Sequence, residues 1–326
     1  MNKFAMRQAG AALACAVVAF TAVVPSTSLA AWPADKPIRM IVPYGAGGAS
    51  DTLGRIVAAR LSIALKQTVV VENKPGAGSM LGSQFVARAE PDGYVLLLGS
   101  ISNVLNNFFY KEPLYDIRAD LAPVARLVSV PNYLAVNPKL PVQSVAELIK
   151  MARAKPESIS CATSGIGSSP YLSCELFKIL SGTQIINVPF KSGAEAIQSV
   201  IGGQASVLFA NEALPFITSK QLHALGVTTP QRSSYVPDVP AIAETLPGYD
   251  VTAWYGVWAP PKTPPAIIDR ISLEINALLK SPEVLQTLTT LGAEPAGTDA
   301  AQFKQYVGEE LDRWKVIIEQ AKITPQ

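Results

Sequence analysis

The sequence predicts an α/β chain with mostly parallel sheets, and three observations carry that expectation. Short runs rich in β-branched residues alternate with amphipathic segments from end to end. The amphipathic segments begin with capping residues in helical order. No repeat of solenoid period and no low-complexity tract interrupts the alternation.

Candidate strands fall at residues 38–42, 68–72, 94–98, 133–136, 159–162, 185–188, 206–209, 222–227 and 256–258. From Leu53, the positions Ile56, Val57, Leu61, Ala64 and Leu65 form one apolar stripe, as a helix covering a sheet requires. Ser144 with Glu147 and Ser192 with Glu195 are capping-box patterns. Ser281-Pro282-Glu283 sets a cap, a first-turn proline and an acid in the favoured order. The long C-terminal helix should bury Trp314 and Ile317 and turn Glu309 and Glu310 to solvent.

Residues 1–30 read as a secretory signal. Lys3 and Arg7 give a basic start, residues 9–24 an apolar core, and Ser28-Leu29-Ala30 a small-residue cleavage site, with the cut expected after Ala30. Pro25 breaks the apolar run short of the roughly 20 residues a bilayer span needs. The reading places the mature chain in the periplasm. Of the 27 basic residues two leave with the signal, which leaves 25 against 25 acids. This balance and the absence of basic runs exclude a nucleic-acid or polybasic membrane partner. Cys15 also leaves, so Cys161 and Cys174 remain, one on an expected strand and one on the helix returning over it. They are either a disulfide in an oxidising compartment or two buried free thiols filling small apolar positions.

The most informative stretch is IRMIVPYGAGGASD at residues 38–51, where a β-branched run breaks at Pro43 into glycines and then enters a helix. Glycine lets backbone approach a ligand, and a helix start presents unpaired N–H groups and the positive end of its dipole. The loop holds no Lys or Arg. It is therefore either an anion site that works through backbone dipoles alone or a tight turn needing glycine for geometry.

Most enzyme chemistries lack their residues. His223 is the only histidine, so a histidine-rich zinc site is excluded, and no metal or cofactor is expected. There is no G-x-S-x-G, no S-x-x-K and no GxxxxGK[ST]. Ser50 takes the third glycine place of a dinucleotide fingerprint. A serine hydrolase using Ser164 or Ser168 would need a base, and the sequence offers His223 and scattered carboxylates.

The motifs AWPADKPIRMIVPYGAGGASD, VENKPGAGSMLG (71–82), PDGYVLL (91–97), SGIGSSPYLSCELF (164–177), VPFKSGAEAIQSVIGGQ (188–204) and PDVPAIAETLPGYDVTAWYGVWAPPKTP (237–264) resemble the Bug or TctC family. These are extracytoplasmic solute receptors, the binding subunits of tripartite tricarboxylate transporters. The resemblance spans the mature chain and implies a two-lobed periplasmic-binding-protein fold of type II, each lobe a sheet flanked by helices with the ligand between them. One lobe would take residues 31–130 and 253–326, the other 131–252. It further implies a non-enzymatic monomer that holds a small organic carboxylate and passes it to membrane permease subunits or to a sensor.

Four loops are expected to converge on the cleft in such a protein. The first is Tyr44, Gly45, Ala46, Gly47, Gly48, Ser50 and Asp51. The second leads through Gly76-Ala77-Gly78 to Ser79, and the third carries Ser100, Ser102 and Asn103. The fourth, from the other lobe, carries Ser164, Gly165, Ile166, Gly167 and Ser168, with Tyr171 on the following helix and Pro189 and Lys191 nearby. The sequence departs from its relatives at informative places: Gly45 and Ala46 replace two prolines, Tyr171 stands where a histidine is frequent, and Ser206 replaces an aspartate. Tyr44, Phe108 and Tyr171 could line an apolar part of the ligand.

Overall fold

The computed structural model describes residues 32–165, 167–320 and 323–325. The signal segment and its expected cut after Ala30, and Ile166 of the fourth loop, lie outside them.

The chain runs β1 (Ile38–Val42), α1 (Ala49–Leu65), β2 (Val69–Asn73), α2 (Met80–Ala87), β3 (Val95–Ser100), α3 (Ile101–Phe109) and β4 (Ala122–Val130). It continues through β5 (Tyr133–Val136), α4 (Val145–Ala154), β6 (Ser160–Thr163), α5 (Ser169–Ser181), β7 (Ile186–Pro189), α6 (Gly193–Ile201), β8 (Val207–Ala210), α7 (Leu214–Thr218) and β9 (His223–Val227). It ends with β10 (Ala253–Ala259), α8 (Pro265–Leu278), α9 (Pro282–Thr290), β11 (Glu294–Pro295) and α10 (Ala300–Gln320). One sheet has the order β11-β4-β10-β3-β1-β2 and the other β7-β6-β8-β5-β9.

The sheets are mixed, which corrects the expectation of mostly parallel ones. β1 pairs in parallel with β2 and β3, and β6 with β7 and β8. The remaining pairings are antiparallel, and all of them involve β4, β5 or β10. These are the strands flanking the two passages between the sheets, so they enter each sheet against the direction of its βαβ units. β4 and β11 are strands that the sequence pattern did not mark. Pro123 and Arg126 blur the apolar run of β4, and β11 has only two residues.

The passages are tied together at one residue. Thr228 accepts from the Asn132 N–H at 2.9 Å through Oγ1, its own N–H donates to Asn132 O at 3.0 Å, and its carbonyl accepts from Val251 N at 3.0 Å. Thr228 and Asn132 are both fully buried. The two connections thus share a pivot in which buried backbone groups are satisfied.

Helix packing follows the apolar stripes. α1 buries Leu53, Val57, Leu61 and Leu65 against the first sheet and stops at Lys66, whose left-handed φ of 52° lets its N–H and that of Gln67 close on Ile63 and Ser62. α10 buries Phe303, Val307, Leu311 and Trp314. Glu310 departs from the expected solvated face: it is buried, accepts from Trp254 Nε1 at 3.0 Å and pairs with Arg313. Trp254 and Trp258 pack with Phe303 behind the cleft. One buried apolar cluster runs through both lobes, from Ile41 and Phe109 to Leu172 and Phe177.

Candidate functional site

The start of α1 is left open by its sequence. Its cap, Gly48, has no side chain to accept from the first turn, so the leading N–H groups have no local partner. Two other helices begin nearby. Ser100 caps α3 by accepting from Ser102 N, and Ser168 caps α5 by accepting from Tyr171 N at 3.3 Å. Pro170 removes one more N–H from the α5 start.

These three helix starts meet at one cavity of about 210 Å³ between the lobes. Gly48, Ala49 and Ser50 line it from α1, Ser100, Ile101 and Ser102 from α3, and Ser164, Ser168, Ser169 and Pro170 from the α5 side. Tyr44, Asn211, Glu212, Ala253, Trp254 and Tyr255 complete the wall. The volume is below the roughly 300–1,000 Å³ of pockets for drug-sized molecules, so it suits a small solute. A larger hollow of about 660 Å³ lies near the opposite end of β1, beside Arg39 and Tyr94. It meets no helix start of this kind, and Arg39 is already held by Glu72.

The lobes touch at the cavity rim. Ser102 Oγ donates to Gly167 O at 2.9 Å, and the Phe109 ring meets Tyr171 edge-on at 6.2 Å. Tyr44 is set by its hydroxyl, 2.7 Å from Ser100 Oγ and donating to Asn103 Oδ1 at 3.1 Å. Burial pushes the Tyr44 phenol up from its usual value, so it remains a neutral donor.

Several expected ligand contacts have other work. Asp51 accepts from Gly47 N and Arg55 on Oδ2 and from Asn73 on Oδ1, each at 3.0 Å. Those donors, Arg55 first, hold its carboxyl at about 2. Asp51 therefore folds the first loop from behind rather than facing a solute, and it consumes the Gly47 N–H. Gly47 has the left-handed φ of 87° that the turn needs, and Gly45, Ala46 and Gly47 stand exposed at the tip, outside the cavity lining.

The second loop is absent from the cavity lining. Ser79 is buried and accepts from Asn103 at 3.0 Å and Asn106 at 3.2 Å, and Asn103 is itself fully buried. Gly165 and Gly167 shape the fourth loop with φ of 99° and 77°, and their carbonyls accept from Ser168 and Ser102. Tyr171 packs on the aromatic rim. Pro189 and Lys191 are exposed and lie outside the cavity lining. Cys161 and Cys174 are free buried thiols, and burial with the neighbouring Cys174 pushes the Cys161 thiol well up. The disulfide is not formed, and both serve as small core filler.

The sequence reading missed Asn211, Glu212 and Tyr255. Asn211 and Glu212 follow β8, which runs parallel to β6, and the carboxyl ends of parallel strands are where solutes bind. Applying that rule to every expected strand would have found them. Glu212 lines the cavity and is exposed, and partial desolvation pushes its carboxyl above the usual glutamate value.

Two α/β lobes with helix starts turned into an interlobe cavity define a solute-binding receptor. The chain belongs to the family described as the tripartite tricarboxylate transporter family receptor, whose model matches residues 53–323. It is 34% identical to the protein BugT of Bordetella pertussis, over 92% of this chain and 94% of that one. Among solved structures it is similar to Rpa4515 of R. palustris with adipate, at 33% identity and a TM-score of 0.83, covering 90% of this chain and all of that one. MatC from Rhodopseudomonas palustris with bound malate gives 30% identity and a TM-score of 0.78, over 87% and 99% of the two chains. The periplasmic binding protein BugD gives 30% and 0.80, over 90% and 99%.

Proposed function

We propose that this receptor binds a small organic carboxylate in the cavity where α1, α3 and α5 begin, and delivers it to the permease subunits of a tripartite tricarboxylate-type transporter. The observation that carries the reading is the uncapped start of α1 among two further helix starts, with no Lys, Arg or His in the lining. Backbone dipoles would hold the carboxylate, aided by Ser164 and Ser169, whose hydroxyls have no hydrogen-bond partner among the described residues. Relatives seen with adipate and malate support that ligand class.

Residues 1–30 would direct a monomer to the periplasm, with 31–130 and 253–326 moving against 131–252 about the Thr228 pivot as the lobes close. A non-catalytic role is favoured because His223 sits on β9, outside the cavity lining. Presentation to a sensor instead of a permease would use the same site. Titration calorimetry of stripped protein against mono-, di- and tricarboxylates and aromatic acids tests the reading. Binding of at least one acid with heat is the expected result, and a folded protein that binds none refutes it.

A further inference from the structure

The spacing of Phe303, Tyr306, Glu310 and Arg313 puts them on one face of α10, and that face meets both the cavity wall and the second passage. The Trp254 indole belongs to the cavity wall and is fully buried. It meets the rings of Phe303 and Tyr306 at 5.7 and 5.4 Å and donates to Glu310 Oε2 at 3.0 Å. Glu310 Oε1 accepts from Arg313 Nε at 3.0 Å and from Nη2 at 2.6 Å. The remaining guanidinium nitrogen, Nη1, donates to Asp250 O at 2.7 Å.

Asp250 O belongs to the same peptide group as the Val251 N–H, which donates to Thr228 O at 3.0 Å. One peptide unit of the second passage is therefore held on one side by α10, which packs against β4 of the first sheet, and on the other by the residue that follows β9 of the second. It cannot turn without straining one of those bonds. The Glu310 carboxylate links this peptide to the cavity. Its two oxygens serve Trp254 and Arg313 separately, which an amide cannot do, because one side would present N–H groups to a donor. Buried as it is, the carboxylate also needs the Arg313 charge. Neither Glu310 nor Arg313 lines the cavity.

Resting on the receptor reading above, we propose that Arg313 is a positioning residue for solute binding: it locks the Asp250–Val251 peptide and, through Glu310, the Trp254 wall of the cavity into one unit. When the lobes close about the Thr228 pivot, that wall is fixed against the solute. Without Arg313 the passage and the wall move separately, and the solute escapes faster. Entry into the open cleft is unaffected, because Arg313 lies outside the cavity.

Arg313→Met keeps the apolar stem and removes the donors. Arg153→Met is the control: Arg153 also holds a backbone carbonyl, donating to Ser181 O at 3.0 Å, but it lies on α4, outside the passages and the cavity lining. Without solute, the indole nitrogen–proton resonance of Trp254, assigned by its absence in Trp254→Phe, should shift in Arg313→Met and stay in place in Arg153→Met. Stopped-flow fluorescence on stripped, folded protein then follows the tightest-binding acid among butanoate, benzoate, succinate, malate, adipate and citrate. Dissociation should be about tenfold faster in Arg313→Met, with association within about twofold of wild type. Arg313→Lys, which keeps the charge without the fork, should be about fivefold faster and carries the test if the Met variant does not fold. The assignment is overturned if the Trp254 resonance does not move, if dissociation stays within about twofold of wild type, or if Arg153→Met speeds it equally. The receptor reading survives all three results. If none of the six acids binds wild type, no solute is held for Arg313 to retain and the positioning role falls, and the receptor reading falls with it once the broader panel is also silent.

Discussion

The loops at residues 44–50 and 76–79 are alike in composition and opposite in use. Both are glycine-rich, both follow a strand of the first sheet, and both lead into a helix. The first leaves the start of α1 open to the cavity. In the second, Gly76, Ala77, Gly78 and Ser79 all take positive φ, at 133°, 46°, 60° and 80°. That left-handed run turns Ser79 inward, where Asn103 and Asn106 occupy its hydroxyl and Asn106 also donates to Gly78 O at 3.0 Å. Strain at Ala77 and Ser79 is offset by those bonds. A glycine-serine loop thus becomes a solute site or a structural joint according to whether a neighbouring side chain has already used its polar groups.

The largest effect that would break this contrast is on stability at the second loop. Asn103 accepts from Ser100 N at 2.8 Å and donates to Ser83 at 2.7 Å as well as to Ser79, all in the buried interior. Asn103→Ala should lower the unfolding free energy by about 3 kcal/mol, because several buried partners lose their bond at once. Urea unfolding without solute measures it. A loss within about 0.5 kcal/mol would mean the joint is not built on Asn103.

Next in size is a change that closes the first loop from within. Gly48 has φ −84° and ψ 176°, the extended conformation of a cap, and a Cβ there would meet nothing within 4 Å. Gly48→Asp would place a carboxylate on the N–H groups reserved for the solute. Stability should stay level or rise by a few tenths of a kcal/mol, while affinity for whichever acid the panel identifies falls about tenfold or more. Unchanged affinity would show that the α1 start does not hold the anion.

This asymmetry explains what could be read from the sequence. β1, β5 and the caps at Ser144 and Ser192 were legible because local pattern and tertiary role agree there. The first and fourth loops were legible as helix starts. The fate of Ser79 was not, since it depends on Asn103 and Asn106, more than twenty residues away in sequence. Glu310 escaped for a similar reason: its partner Trp254 lies on β10. Glu212 looked like one more surface acid until β8 was set beside β6.

Paired serine truncations sharpen the contrast on the scale of one hydrogen bond. Ser164→Ala should weaken the identified acid by about 1.5 kcal/mol, one hydrogen bond to a charged acceptor, and leave the melt unchanged. Ser79→Ala should do the reverse, costing about 1 kcal/mol of stability without removing any solute contact. Equal effects of both on affinity would erase the distinction between the loops.

The last effect is read along pH and concerns what folds the first loop. The groups touching the Asp51 carboxylate are donors, from Gly47, Arg55 and Asn73. They lower its folded pKa to about 2, from the ordinary 3.8 expected when unfolded. Between those values the unfolded chain binds the proton more readily, so stability rises with pH through that window. Asp51's contribution is complete above the unfolded value and is lost as pH falls through the folded one. In Asp51→Asn the amide can accept on one side only and presents its own N–H groups to donors on the other. The wild-type melt should therefore exceed that of the variant by a constant margin from about pH 6 to pH 8, and the margin should shrink between about pH 4 and pH 2. A margin that persists undiminished at the acid end would mean that the loop is held by packing and not by the carboxylate, and the open start of α1 would then owe its shape to Gly47 and Gly48 alone.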